Sequence, residues 1–243
     1  MHIRYRPGLP LIVTLAVSVL TVSAVASCSS SDGSDGGGAA DPTVLLTAAR
    51  AGLDGTGSLH FTLDSADVPP GGTRLVSGAG VVARPNSFQG KLAVLLNGNK
   101  VSIDLVSTEG QVYAKLPFSN DFQVTDPKTF GLSDPANLID ASSGISRMFG
   151  ELTEITVKGE QRIGDEVVTE IDGFVPGTLV KDLLTSADPT KPVATQLFIT
   201  TSTKQLRRAV LTGPFFDKAQ NSTFKILLDQ YGAPVTVTAP PTS

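Results

Sequence analysis

Apolar and polar residues alternate with period two through much of the chain. Leu59, Phe61 and Leu63 alternate with Ser58, His60, Thr62 and Asp64, the pattern of a half-buried strand. Thr73 to Ala83 reads as a second strand, closed by a turn at Arg84-Pro85-Asn86. The clearest local signal is Lys91 to Val106. Leu92, Val94 and Leu96 lead into Asn97-Gly98-Asn99, and Val101, Ile103 and Leu105 follow at the same period. Asn-Gly between two such runs predicts a hairpin, because both turn positions need positive φ. Glu109-Gly110 turns the chain again into Val112 to Leu116. Further strands are predicted at Thr153 to Ile163 and Glu166 to Ile171 around Gly164-Asp165, and at Val193 to Thr201, Gln205 to Thr212 and Thr223 to Leu228. Val235-Thr236-Val237 adds a short edge strand.

Three segments break this period. Asp41 is an N-cap with Pro42 at the first helical position, and Val44, Leu45, Ala48, Ala49 and Leu53 follow at helical spacing up to Gly52 and Gly55. Ala136, Leu138 and Ile139, then Ile145, Met148, Phe149 and Leu152, read as helix interrupted at Ser142-Ser143-Gly144. Pro176 to Leu184 places Leu179, Val180, Leu183 and Leu184 on one side of a third helix. No internal repeat or second linker occurs, so residues 42–239 form one β-rich domain with helices, followed by a tail at 240–243.

The start of the chain has a different character. Arg4 and Arg6 precede an apolar run from Leu11 to Ala26, about sixteen residues and short for a bilayer span of roughly 20. A basic start, an apolar middle and a small-residue end predict a secretory signal over residues 1–27. The end, Val25-Ala26-Ser27-Cys28, resembles the lipobox of bacterial lipoproteins. That resemblance implies cleavage before Cys28 and acylation of its sulfur and new amino group, which would anchor the chain at the extracytoplasmic face of the cell membrane. Residues 29–41 contain only Ser, Gly, Asp and Ala, which predicts a flexible tether.

Composition narrows the function. The chain has 243 residues, a formal charge of −4 and 17% charged residues. An acidic balance argues against a nucleic-acid partner, which needs a clustered basic surface. One cysteine excludes an intramolecular disulfide framework, one histidine beyond the signal excludes a histidine metal cluster, and a Cys-His pair would need the Cys28 that the lipobox resemblance implies is acylated. His60 falls on the polar side of its strand, and no Gly-x-Ser-x-Gly elbow is present. Gly78-Ala79-Gly80-Val81-Val82-Ala83 matches a dinucleotide fingerprint but lies within a strand-like stretch, so these read as strand glycines. The residues predict no catalytic site, no metal and no cofactor.

The order of these features resembles the mycobacterial and actinobacterial LppX/LprA/LprF/LprG lipoproteins. The resemblance is carried by the lipobox and tether, Ser58-Leu59-His60-Phe61-Thr62-Leu63, the Asn97-Gly98 hairpin, and Glu109-Gly110-Gln111-Val112-Tyr113-Ala114. It continues through Asp134-Pro135 with Leu138-Ile139-Asp140 and Gly144-Ile145, then Gly159-Glu160, Ile171-Asp172-Gly173, Pro192-Val193-Ala194-Thr195 and Tyr231-Gly232-Ala233-Pro234-Val235. Phe198 and Tyr231 stand where the family often has Trp, swaps that bear on ligand details more than on fold.

The resemblance implies an α+β fold: a single antiparallel half-barrel sheet wrapped over several helices, with an apolar cavity between the two. It further implies a lipoprotein that binds acylated glycolipids or phospholipids in that cavity and carries them across the envelope. The alternative is a lipid-sensing or assembly module for a membrane transporter or signalling partner. Leu92, Val94, Leu96, Val101, Ile103 and Leu105 are the expected cavity wall, facing Leu138, Ile145, Met148 and Phe149.

Overall fold

The computed structural model describes residues 41–96 and 98–242. The first helix, α1 (Pro42–Gly55), starts where Asp41 accepts a hydrogen bond from the Thr43 N–H at 2.9 Å. Its buried face is Leu45, Leu46, Ala49 and Leu53. Val44 lies off that face and is 65% exposed, so the apolar stripe begins one residue later than the spacing predicted.

From α1 the chain enters a meander: β1 (Ser58–Ala66), β2 (Thr73–Ala83), β3 (Ser87–Leu96), β4 (Asn99–Thr108), β5 (Gln111–Lys115) and the two-residue β6 (Gln123–Val124). Short 3-10 turns at Pro127–Phe130, Pro135–Ile139 and Ile145–Arg147 and the one-turn α2 (Met148–Glu151) carry it to the other side. A second meander returns through β7 (Thr153–Ile163) and β8 (Glu166–Val175), a helix α3 (Gly177–Leu183), then β9 (Val193–Thr200), β10 (Leu206–Gly213) and β11 (Ser222–Asp229). All strands join one antiparallel sheet in the order β6-β5-β4-β3-β2-β1-β11-β10-β9-β8-β7. The first and last strands thus meet at the centre, His60–Ala66 against Thr223–Asp229, and the edges β6 and β7 stay apart as in an open half-barrel.

Alternation then sorts the side chains. Leu59, Phe61 and Leu63 share a face with Leu228, Ile226 and Phe224, and the same row continues through Ala209, Leu197 and Ile171. This inner face joins the buried faces of α1 and α3 in one hydrophobic cluster. On the β2–β3 side the inner row includes Gly80 directly opposite Gly90. A Cβ on Gly80 would stand 2.6 Å from the Gln89 carbonyl oxygen and 2.7 Å from Gly90 Cα. The fingerprint-like string is strand here, and glycine is what the close approach of β2 to β3 requires.

The Ala136–Leu152 segment is less helical than its spacing predicted. Asp140 is the reason. Its Oδ1 accepts from the N–H and the hydroxyl of both Ser142 and Ser143, a local arrangement that competes with helix. Gly144 then packs where a Cβ would meet the Asp140 and Leu138 carbonyls at 2.5 Å. These four donors hold the Asp140 carboxyl down at about 2. The predicted edge strand at Val235–Val237 does not form. Pro234, Pro240 and Pro241 lack donors, and the tail runs extended instead. Gly232 N–H bonds the Ser58 carbonyl at 2.8 Å, and Thr242 bridges Phe122, so the tail spans the β1–β6 half.

Two outcomes follow from this packing. Gly80→Val should lower unfolding stability by about 1–3 kcal/mol in urea titration, the usual range for overpacking. Gly57→Ala, where a Cβ meets nothing within 4 Å, serves as the neutral control. Equal stabilities would show that the β2–β3 approach is looser than described. In a carboxyl NMR titration Asp140 should show a midpoint of about 2. Because its folded value is depressed, its stabilising contribution is full above the ordinary carboxylate range and is lost as pH falls toward 2. A midpoint near 4, roughly the unperturbed value, would mean the serine turn is not formed.

Candidate apolar cavity

Between the central strands and α3 lies a cavity of about 130 Å³. Its sheet wall starts from the β1–β11 seam. Leu63 and Ile226 are direct partners across that seam, and both face the void with Phe61 and Phe224 beside them. Leu75 of β2, Phe88 and Leu92 of β3 and Leu211 of β10 extend the wall on either side. Phe215, in the β10–β11 connection, closes one end; its ring centroid is 5.1 Å from that of Phe224, while Phe61 and Phe88 stack at 5.8 Å. Leu92 and Phe88 lie low because there is no Cβ beneath them. A Cβ on Gly78 would meet Leu92 Cδ2 at 2.5 Å, and one on Gly90 would meet Phe88 Cζ at 2.9 Å.

The opposite wall is helical. Leu179, Val180 and Leu183 of α3 and the capping Leu184 point to one side, as their spacing predicted, and Leu138 and Ile145 of the 3-10 turns complete it. Ser133 and Asp134 are the polar residues of the lining. Both are engaged: Asp134 Oδ1 accepts from the Ala136 N–H at 3.0 Å, and the Ser133 N–H donates to the Leu183 carbonyl at 3.1 Å. The rest of the lining is hydrocarbon. A void lined this way stays dry, since a water needs two or more polar partners. It suits hydrocarbon and offers nothing to a reacting group.

The expected wall is only partly the observed one. Leu92, Leu138 and Ile145 line the cavity. Val94, Ile103 and Leu105 share the inner face but are packed solid, as are Met148 and Phe149, and Val101 packs half-buried against them. Leu96, the last residue of β3, lies beyond the helical cover and is 45% exposed. The void thus sits nearer the centre of the sheet than the hairpin. The Phe61–Leu63 and Phe224–Ile226 alternations carried the signal, but no local pattern shows that β1 and β11 are neighbours. Cys28 lies outside the described residues.

Alternation places His60 on the other side of the sheet from Phe61. There His60 Nδ1 is 2.7 Å from Asp229 Oδ1, Asp229 Oδ2 is 3.6 Å from Arg207 Nη1, and Arg207 Nε is 2.7 Å from Glu166 Oε2. This chain of polar contacts, a His60–Asp229 hydrogen bond followed by the Arg207 ion pairs, ties β1, β11, β10 and β8 together across the outer face. It also edges a polar hollow with Tyr231, whose hydroxyl donates to the Leu206 carbonyl at 2.6 Å and whose phenol burial pushes upward in pKa. Phe198 is buried on the same face under the Arg208 guanidinium, 3.7 Å from its ring centroid. Neither aromatic swap touches the cavity, so neither alters what the cavity can hold. Among the described residues no three His, Cys, Asp or Glu side chains gather as a metal site, and no helix is long and apolar enough to cross a membrane.

Comparison with known proteins agrees with this architecture. A search of curated proteins gives no match. The crystal structure of LprF from Mycobacterium bovis aligns with a TM-score of 0.65 and 18% identity, covering 82% of this chain and 96% of that one. That of the Mycobacterium tuberculosis lipoprotein LppX aligns with a TM-score of 0.58 and 16% identity, covering 81% and 98%. These likenesses establish the fold. The LppX_LprAFG lipoprotein model matches residues 41–237, and the chain belongs to that lipoprotein family.

Proposed function

We propose that this protein is a membrane-anchored lipoprotein of the cell envelope that binds an acyl lipid in the cavity beneath α3 and carries it across the extracytoplasmic space. The observation that carries this reading is the dry, hydrocarbon-lined void between the β1–β11 seam and α3. Acyl chains need an apolar wall and no directional partner, while a sugar or phosphate headgroup can stay in water at the rim. No nucleophile is required, and the lone His60 is on the wrong face to serve the cavity.

Size sets a condition on uptake. A cavity near 150 Å³ holds a benzene-sized guest. At about 130 Å³ this one admits a segment of a single chain. A lipid with two or three chains therefore enters only if the cover lifts from the sheet. That cover is α3, seven residues long, and the Pro135–Ile139 turn.

Ile226→Trp places a large ring in the void. Lipid extracted from the purified variant and counted by mass spectrometry should fall several-fold below wild type, with the thermal midpoint little changed. Equal lipid in both proteins would contradict the cavity assignment. The anchor is tested separately. Mass spectrometry of the membrane-extracted protein should find an N-terminal peptide that begins at a diacylglycerol-modified Cys28, and an unmodified Cys28 would rule out acylation at that residue.

A further inference from the structure

Several large apolar side chains are left in water at one corner of the sheet. Phe118 is 100% exposed, and Leu116 and Leu96 are 46% and 45% exposed. Leu96 ends β3 at the β3–β4 hairpin; Leu116 and Phe118 belong to the β5–β6 connection. The pairing register fixes where these connections lie. Leu96 pairs with Asn99 and with Thr73, the first residue of β2, and Asp104 pairs with Lys115, the last of β5. Both connections therefore leave their strands toward the same end of the sheet, two strand spacings or roughly 10 Å apart across it, with the last residue of β5 level with Asp104, five residues or roughly 17 Å short of the Asn99 level.

The cavity lies toward that end too. Leu75 is the third residue of β2, Phe224 the third of β11, and Phe215 is in the β10–β11 connection, which leaves the sheet at the same end as the β1–β2 and β3–β4 connections. The opposite end carries the β2–β3, β4–β5, β7–β8 and β9–β10 connections.

We infer that the β3–β4 and β5–β6 tips form a docking surface for a lipid bilayer, on which Leu96, Leu116 and Phe118 insert among the acyl chains and turn the cavity end of the protein to the membrane. The occupant follows from where the chain is held. Cys28 and Asp41 are thirteen peptide steps apart, at most about 45 Å even when fully extended. A body anchored at Cys28 meets one surface far more often than any other, and confinement this close raises the effective concentration of a weak contact. Exposed apolar side chains spread over two connections, rather than gathered in one contiguous patch, suit a fluid interface better than a shaped protein groove. The chain's negative net charge supplies no general attraction to anionic headgroups, so insertion of these side chains is what sets the orientation. This inference rests on the lipoprotein reading, and its test is arranged to bypass that reading.

The chain has no tryptophan, so Phe118→Trp gives a single emitter at the tip. Ser202→Trp, on the exposed β9–β10 connection at the opposite end, is the control. The chain from Cys28 onward, which contains the whole folded body, is coupled through its one thiol to a maleimide lipid in phosphatidylcholine vesicles. Attachment then does not depend on cellular acylation, nor does the readout depend on any bound lipid. With part of the phosphatidylcholine brominated on its acyl chains, Phe118→Trp emission should shift to the blue and be quenched, while Ser202→Trp stays unshifted and unquenched. No quenching at either position would overturn the inference, as would equal quenching at both. A blue shift without bromine quenching, growing with protein density, would also overturn it and point to contact between copies of the chain.

Discussion

The central constraint is one of cover. An eleven-stranded antiparallel sheet with strands roughly 4.8 Å apart is some 50 Å wide along its contour, and its inner face is apolar along most of that width. Helices roughly 10 Å across would need several parallel members to cover it. The described residues supply one fourteen-residue helix, one of seven residues, and a set of single turns. Curling into a half-barrel brings the strands over this small helical layer. Over the β1–β11 seam the side chains of the two layers do not meet and a void remains.

The seam has a second consequence. Joining the first strand to the last makes the centre of the sheet a long-range contact, so cavity residues come from segments about 160 positions apart in sequence, such as Leu63 and Ile226. Alternation then separates two chemistries by the thickness of one sheet. The inner face is almost wholly hydrocarbon. The outer face holds the chain of polar contacts from His60 through Asp229 and Arg207 to Glu166, which fastens the two meanders across the seam. His60 is therefore on the side of the sheet away from the cavity.

Most strands were legible in the sequence because each carries its own period-two pattern and turn residues, and the Leu59-Phe61-Leu63 and Leu179–Leu184 patterns face inward as read. What was not legible was set at longer range. The Leu92–Leu105 hairpin has the most regular alternation, yet most of it faces solid core, because which part of an apolar face is left uncovered depends on where the short turns land. The Ala136–Leu152 spacing looks helical, but Asp140 and its two serines redirect the backbone. Val235–Val237 alternates like a strand, but the surrounding prolines leave it a strap. Leu96 keeps the parity of Leu92 and Val94 and differs only in height, and a linear pattern does not report height.

The claim on which the account turns is that the space under α3 receives a hydrocarbon chain. The most direct measurement is a crystal structure of the protein loaded with a phospholipid brominated on one acyl chain, with the bromine located by anomalous scattering. The account predicts a bromine peak between Ile226 and Leu183, with α3 displaced outward to make room. A solidly packed interior, with bromine only on the outer surface or nowhere at all, would contradict it.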